Sequence, residues 1–395
     1  MVIFRDDLLI FSDKSCAYPD TGNEIFDWQR WFRRAVAQSA HQVHQAERWI
    51  LSQPDRVFLD AKCTQRLPLP LPAADRLKVH RICVATGAGD RCQAATGRTS
   101  LAINVNVLDD AEPFTIGRIQ GVSGWLHVLD GSSLNLLLNE LSTIADFVAY
   151  LDAKRKLLDG GMFQSALSEA DVLARYLWHG RSFPPVSTRY VVSPNLWPQM
   201  EADPSFQAGR RENSISIFWD RLIEYLTEHY LQGTLETGNE LEFTEYEEIV
   251  RIMASESRFH RRVLSKAILE RADRARDAKI STLLPSAHPD VVYTLLIDRG
   301  AQGESYSEYR THRQRELYMR CVAAKAARPL CRFIVGVALD ARGIDGGSED
   351  FIYIDTAHWT DAMLAAADQV REELQYFIPG KAVESRIEED EYPVV

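Results

Sequence analysis

The side chains equipped for chemistry gather first at the amino terminus. Asp6 and Asp7 separate two short apolar runs, and the second run, Leu8-Leu9-Ile10-Phe11, leads directly into Ser12, Asp13 and Lys14. Carboxylates attract cations and a lysine ammonium attracts phosphate or another anion, so acids and a lysine at a strand end form a candidate reaction or binding centre. A second concentration lies at residues 258–279, RFHRRVLSKAILERADRARDAK, with eight Lys or Arg against three Asp or Glu. Arg258, Arg262, Lys266 and Arg276 recur there at near-helical spacing, the pattern of a stripe that follows a phosphate backbone. The competing reading is an exposed helix laced by ion pairs such as Glu270 with Arg274. Arg310, Arg313 and Arg315 form a further cluster of the same kind.

Other patterns carry less. His41 and His44, three residues apart, can share one helix face, but Glu47 lies too far along to complete one ion's shell, so a solvated or partly packed face is expected. Gly87-Ala-Gly89-Asp-Arg-Cys92 follows an apolar run, yet Cys92 stands where a phosphate-cradling loop needs its third glycine, which leaves a surface turn. Gly121-Val-Ser123-Gly lacks the spacing of a nucleophile elbow. Trp28, Trp31 and Trp49 sit in an amphipathic pattern and are expected in the core.

These residues must be positioned by regular elements. Residues 2–4 and 8–11 read as a β-hairpin, residues 26–51 as a long amphipathic helix, and residues 79–85, 99–107 and 125–129 as strands, followed by a helix over 133–158. Five prolines between residues 179 and 206 mark a connecting region. Helices are expected near 215–231 and 244–276. Strands at 291–297, 332–339 and 351–355 then alternate with helices near 307–326 and 357–377. The chain is therefore expected to be α/β. An N-terminal α/β domain spans 1–160 and a helical region 161–285, followed by a C-terminal α/β segment over 286–380 and an acidic tail over 381–395.

Composition fits a folded chain of two or three domains: 395 residues, 46% hydrophobic and 26% charged. A net charge of −11 argues against a uniformly basic nucleic-acid coat while allowing a local basic face. Six scattered cysteines form no disulfide framework and no CxxC pair. With no run of 18 apolar residues and no leader-like opening, the expectation is a cytoplasmic protein without a membrane span. The immediate start in an apolar strand reads as an opening inside a domain.

A hairpin ending in an acid beside a lysine, followed by a helix with Gln38, Gln42 and Gln45, resembles the PD-(D/E)xK restriction-endonuclease-like superfamily, in particular its nuclease-related modules, over about residues 1–105. The resemblance implies a mixed sheet and a Mg²⁺ held by carboxylates, which activates water and neutralises the scissile phosphate while a lysine stabilises developing charge. Carried onto this chain, the catalytic set is Asp13, Lys14 and Gln42, Gln42 serving to hydrogen-bond a carboxylate or phosphate, and the metal ligands are Asp7 and Asp13. The chain departs from the family at two points. Ser12 occupies the acid position two before the lysine, and the motif's first acid, expected on the first hairpin strand, is replaced only by Asp6 and Asp7 or lies before Met1. Asp13 and Lys14 share a face only if the strand bulges or ends there. The expected function is a metal-dependent nuclease, or a degenerate nuclease-like protein, acting on DNA or RNA, with bacterial defence a natural setting by analogy. The alternative is a non-enzymatic interaction or scaffold protein with an inactive nuclease-like fold and a protein partner.

Overall fold

Alternating apolar residues around the polar break Arg5-Asp6 fold as expected. In the computed structural model, which describes residues 1–185, 188–235, 242–275, 279–301, 303–341, 348–381 and 388–393, β1 (Val2–Phe4) and β2 (Asp7–Ser15) pair antiparallel with Phe4 opposite Asp7. The chain is a mixed α/β protein and divides into two compact units, Met1–Phe206 and Gln207–Val395.

In the first unit the hairpin is followed by α1 (Glu24–Phe32), a π-helical segment Arg33–Ala37, and α2 (Gln38–Ser52). The long amphipathic pattern is thus one run of helix with a wide turn in its middle. Then come β3 (Lys78–Thr86), α3 (Gly89–Thr96), β4 (Ala102–Leu108), β5 (Thr115–Arg118), β6 (His127–Leu129), α4 (Gly131–Glu140), α5 (Ile144–Asp159), β7 (Phe163–Ala166), α6 (Glu169–Trp178), β8 (Tyr190–Val191), α7 (Leu196–Ala202) and α8 (Pro204–Glu212), which runs on into the second unit. One sheet has the order β1-β2-β3-β6, with β2, β3 and β6 parallel; a second has the order β5-β4-β7-β8.

The helix expected over 133–158 is two helices, because Thr143 leaves the helical conformation and its hydroxyl accepts the Asp146 amide as an N-cap. Leu8 and Ile10 of β2 and Cys83 and Ala85 of β3 pack under Trp28, Trp31, Phe32, Val36, Ala40 and Val43. Trp28 and Trp31 are fully buried as expected, whereas Trp49 is 48% exposed. Gly87 takes φ +106° just after β3, and a Cβ there would stand 2.0 Å from the Cys16 carbonyl oxygen, so glycine permits close approach to the end of β2; Gly89–Cys92, expected in a surface turn, instead opens α3 with Cys92 buried.

The second unit contains α9 (Ile217–Gln232), α10 (Phe243–Ala254), α11 (Arg258–Arg274), β9 (Ile280–Pro285), β10 (Val291–Asp298), α12 (Tyr306–Ala327), β11 (Phe333–Asp340), β12 (Glu349–Asp355) and α13 (Asp361–Glu373). The helix expected over 244–276 is broken at residues 255–257, where Ser257 caps α11 by accepting the His260 amide. β10 and β11 are parallel across α12, with β9 and β12 antiparallel at the edges. Both faces of the central pair are covered: Tyr293, Leu295, Ile297, Val335 and Val337 meet the cluster of α9, α10 and α11, while Val292, Leu296, Ile334 and Ala338 meet Leu317, Cys321 and Ala324 of α12. This two-sided burial explains the near-continuous apolar runs of these strands. Among the described residues no helix is long and apolar enough to cross a membrane.

Candidate functional site

β2 runs against β3 in an unbroken parallel register from Asp7 opposite Lys78 to Ser15 opposite Thr86. No bulge interrupts it, so side chains alternate strictly. Ser12 and the half-buried Lys14 fall on the face covered by α2, while Asp13 is exposed on the other face. On the helix side the Ser12 hydroxyl donates to Gln42 Oε1 at 3.2 Å. The structure therefore brings together Ser12 and Gln42, beside Lys14 on the same strand face, and separates Asp13 from them.

Asp7 and Asp13 do not form a metal pair. They share a strand face, but six residues of extended chain part them by about 20 Å. Asp7 is engaged instead by buried His80, whose Nε2 lies 2.8 Å from Asp7 Oδ1. Among the described residues no group of three or more His, Cys, Asp or Glu is placed to hold a metal ion. The acids expected to bind Mg²⁺ are thus apart, and no ligand set for it is assembled from them. Glu47 is equally committed: Arg81 donates to both its carboxylate oxygens, at 2.7 and 3.0 Å, and His44 Nδ1 lies 3.6 Å away.

The opposite face of the same sheet carries a polar group that the sequence reading missed. His127 is buried, and neither ring nitrogen has a hydrogen-bond partner. Burial, and then the nearby Lys154 and His80, hold its pKa well below the usual imidazole range. Buried Lys154 pairs with Glu169, and Tyr150 donates to the same carboxylate at 2.6 Å. Burial and the Glu169 charge push the Tyr150 phenol well above its ordinary range. One sequence signal pointed here: Lys154 falls on the apolar side of α5, between Leu151 and Leu158.

The basic stripe expected on residues 258–276 does not face solvent. Arg258 is buried and donates to Ser216 Oγ at 3.0 Å and to Asp220 Oδ2 at 2.6 Å. Arg262 is fully buried, donates to the Asp390 carbonyl at 2.5 Å and pairs with Glu389 at 3.2 Å. Lys266 bridges Glu212 at 2.7 Å and Glu389 at 2.8 Å. Buried cations such as Arg258 and Arg262 need fixed partners, and the half-buried Lys266 is paired as well, so these three are consumed by their partners and this part of the stripe is structural. Arg276 lies outside the described residues. Arg310 and Arg313 are likewise buried and share Asp350, at 2.5 and 2.6 Å, and Arg313 also pairs with Asp340; Arg315 is exposed.

Comparison with known proteins leaves the chain without a match: no protein-family model matches it, and no curated protein or solved structure does.

Proposed function

We propose that this chain acts on nucleic acid through a restriction-endonuclease-like module in its first unit, one whose described side chains support binding rather than metal-dependent hydrolysis. The observation that carries this reading is the meeting of Ser12 and Gln42, 3.2 Å apart, beside Lys14, on a hairpin strand followed by a helix and a parallel strand. The hairpin followed by a helix bearing Gln42 is the order the resemblance implies. A lysine, a hydroxyl and an amide at one strand end offer charge and hydrogen bonds to a phosphodiester. The separation of Asp7 from Asp13 favours retained binding over cutting.

The test is to offer the chain duplex DNA, single-stranded DNA and RNA with Mg²⁺, Mn²⁺ or EDTA, and to compare it with Lys14→Ala. Binding in all three conditions, weakened in Lys14→Ala and without strand scission, is expected. Metal-dependent scission abolished in Lys14→Ala would replace the binding role with a nuclease. Absence of any binding would return the molecule to the scaffold alternative.

A further inference from the structure

We propose that the outer face of the helical run Glu24–Ser52 is the surface that grips the phosphate backbone, an inference that rests on the nucleic-acid reading above and names where contact is made. The inner face is fully used, packing Trp28, Trp31, Val36 and Val43 on the sheet. The outer face displays Arg30, Arg33, Arg34 and Arg48, all exposed. Among the described residues none of these four guanidinium groups makes an ion pair or a side-chain hydrogen bond, unlike Arg258 and Arg262 of α11 and Arg313 of α12.

The acids of this run do not neutralise them. Between residues 24 and 52 the carboxylates are Glu24, Asp27 and Glu47. Asp27 is buried and accepts the Thr21 amide and hydroxyl at 2.9 and 2.8 Å, and Glu47 is held by Arg81. Only Glu24, at the first position, stays on the surface. Four uncompensated arginines along one helix, in a chain of net charge −11, create a local positive field that selects an anionic partner.

Three features favour nucleic acid among anionic partners. Every Lys or Arg on this run is an arginine, whose planar fork matches phosphate oxygens two at a time. The run extends about 43 Å at 1.5 Å per residue, long enough to follow several successive phosphates. Its far end presents Trp49, 48% exposed, with the Arg56 guanidinium 5.4 Å from the ring centre, an aromatic and cation combination suited to bases. A lipid surface fits poorly, because a helix lying in a membrane needs its apolar half for the lipid and here that half is buried in the core. Gln42, bonded to Ser12, belongs to the same run, so the basic face passes the end of β2.

The experiment uses the full chain, Arg30→Gln/Arg34→Gln/Arg48→Gln, and a charge-matched variant, Arg211→Gln/Arg315→Gln/Arg328→Gln. Fluorescence anisotropy with a 30-base-pair duplex and a 30-nucleotide strand is read across a salt series, beside vesicles containing phosphatidylserine and poly-glutamate. The first variant is expected to bind duplex at least 10-fold more weakly. Its dependence of log K on log salt should flatten by about 2 to 3, since each lost phosphate contact removes about 0.9. Its circular dichroism and melting temperature should be unchanged, and the charge-matched variant should bind as wild type. Equal loss in both variants, or no loss in the first, overturns the assignment of this face while leaving the nucleic-acid reading standing. Wild-type binding to vesicles or poly-glutamate but to neither nucleic acid overturns both.

Discussion

Arg81 on β3 and Glu47 on α2 clasp each other through two parallel hydrogen bonds, Nε to Oε2 at 2.7 Å and Nη2 to Oε1 at 3.0 Å. Arg81 Nη1 also donates to the Ser123 carbonyl. The pair ties the helix that carries Gln42 to the sheet that carries Lys14, with side-chain exposures of only 17% and 10%. Such two-pronged pairs fix orientation as well as distance.

Breaking that clasp from one side should be costly. Glu47→Gln keeps the shape but leaves Arg81 without its counter-charge, and unfolding in urea is expected to show a loss of about 3 kcal/mol. The Arg81→Met/Glu47→Met double variant should lose less than Glu47→Gln. A larger loss in the double variant would mean that the pair matters for packing rather than for charge.

Lys154 poses a sharper case, because it and Glu169 are 1% and 3% exposed. Lys154→Met strands a buried carboxylate and is expected to destabilise the chain by roughly 3 to 5 kcal/mol, whereas Lys154→Met/Glu169→Leu should recover much of that. Equilibrium denaturation of the two variants decides it.

His127 predicts an acid-sensitive stability. In the folded chain burial and Lys154 keep the ring neutral, while the unfolded chain titrates at the ordinary value near 6.5. Below that pH the unfolded state takes up a proton that the folded state refuses, so this contribution to stability falls as pH drops and is level above it. Relative to His127→Leu, the wild type should lose up to about 1.4 kcal/mol per pH unit below 6.5. Melts of both proteins between pH 5 and 8 would show parallel curves if the ring were solvated.

The cysteines should divide cleanly in a thiol titration. Cys63 is exposed, whereas burial pushes the Cys83 and Cys321 thiols up to about 12. A small disulfide reagent at pH 8 is expected to modify Cys63 first and to leave Cys83 and Cys321 untouched until denaturant is added. Cys63→Ser should remove the fastest phase.

Much of the architecture was legible where a single physical period dominates. The hairpin, the helix over Trp28 and Val43, and the apolar strands around Leu295 and Val335 follow from alternation or helical repeat. Helix breaks at Thr143 and Ser257 were missed, because one hydroxyl accepting one amide ends a helix without disturbing the apolar repeat on either side. The basic helix was misread for a different reason. The partners of Arg258 and Arg262 come from residues 209–220 and 389–391, and no local pattern reports contacts so distant in the chain. The candidate centre was half legible: alternation already set Asp13 against Lys14, but the approach of Gln42 to Ser12 across 30 residues depends on tertiary packing.

The wide turn at Arg33–Ala37 makes this helix tolerant of a length change at one place only. A π turn holds one residue more than an α turn, so the segments before and after it keep their facing although the buried positions slip by one between Phe32 and Ala40. Deleting one residue within 33–37 should restore a plain α-helix and leave both flanks aimed as they are. The same deletion inside α2 would roll everything beyond it by about 100° and turn Ile50 towards water. The segment works as a one-residue phase adjuster, which lets both flanks of the run keep their apolar side on the sheet.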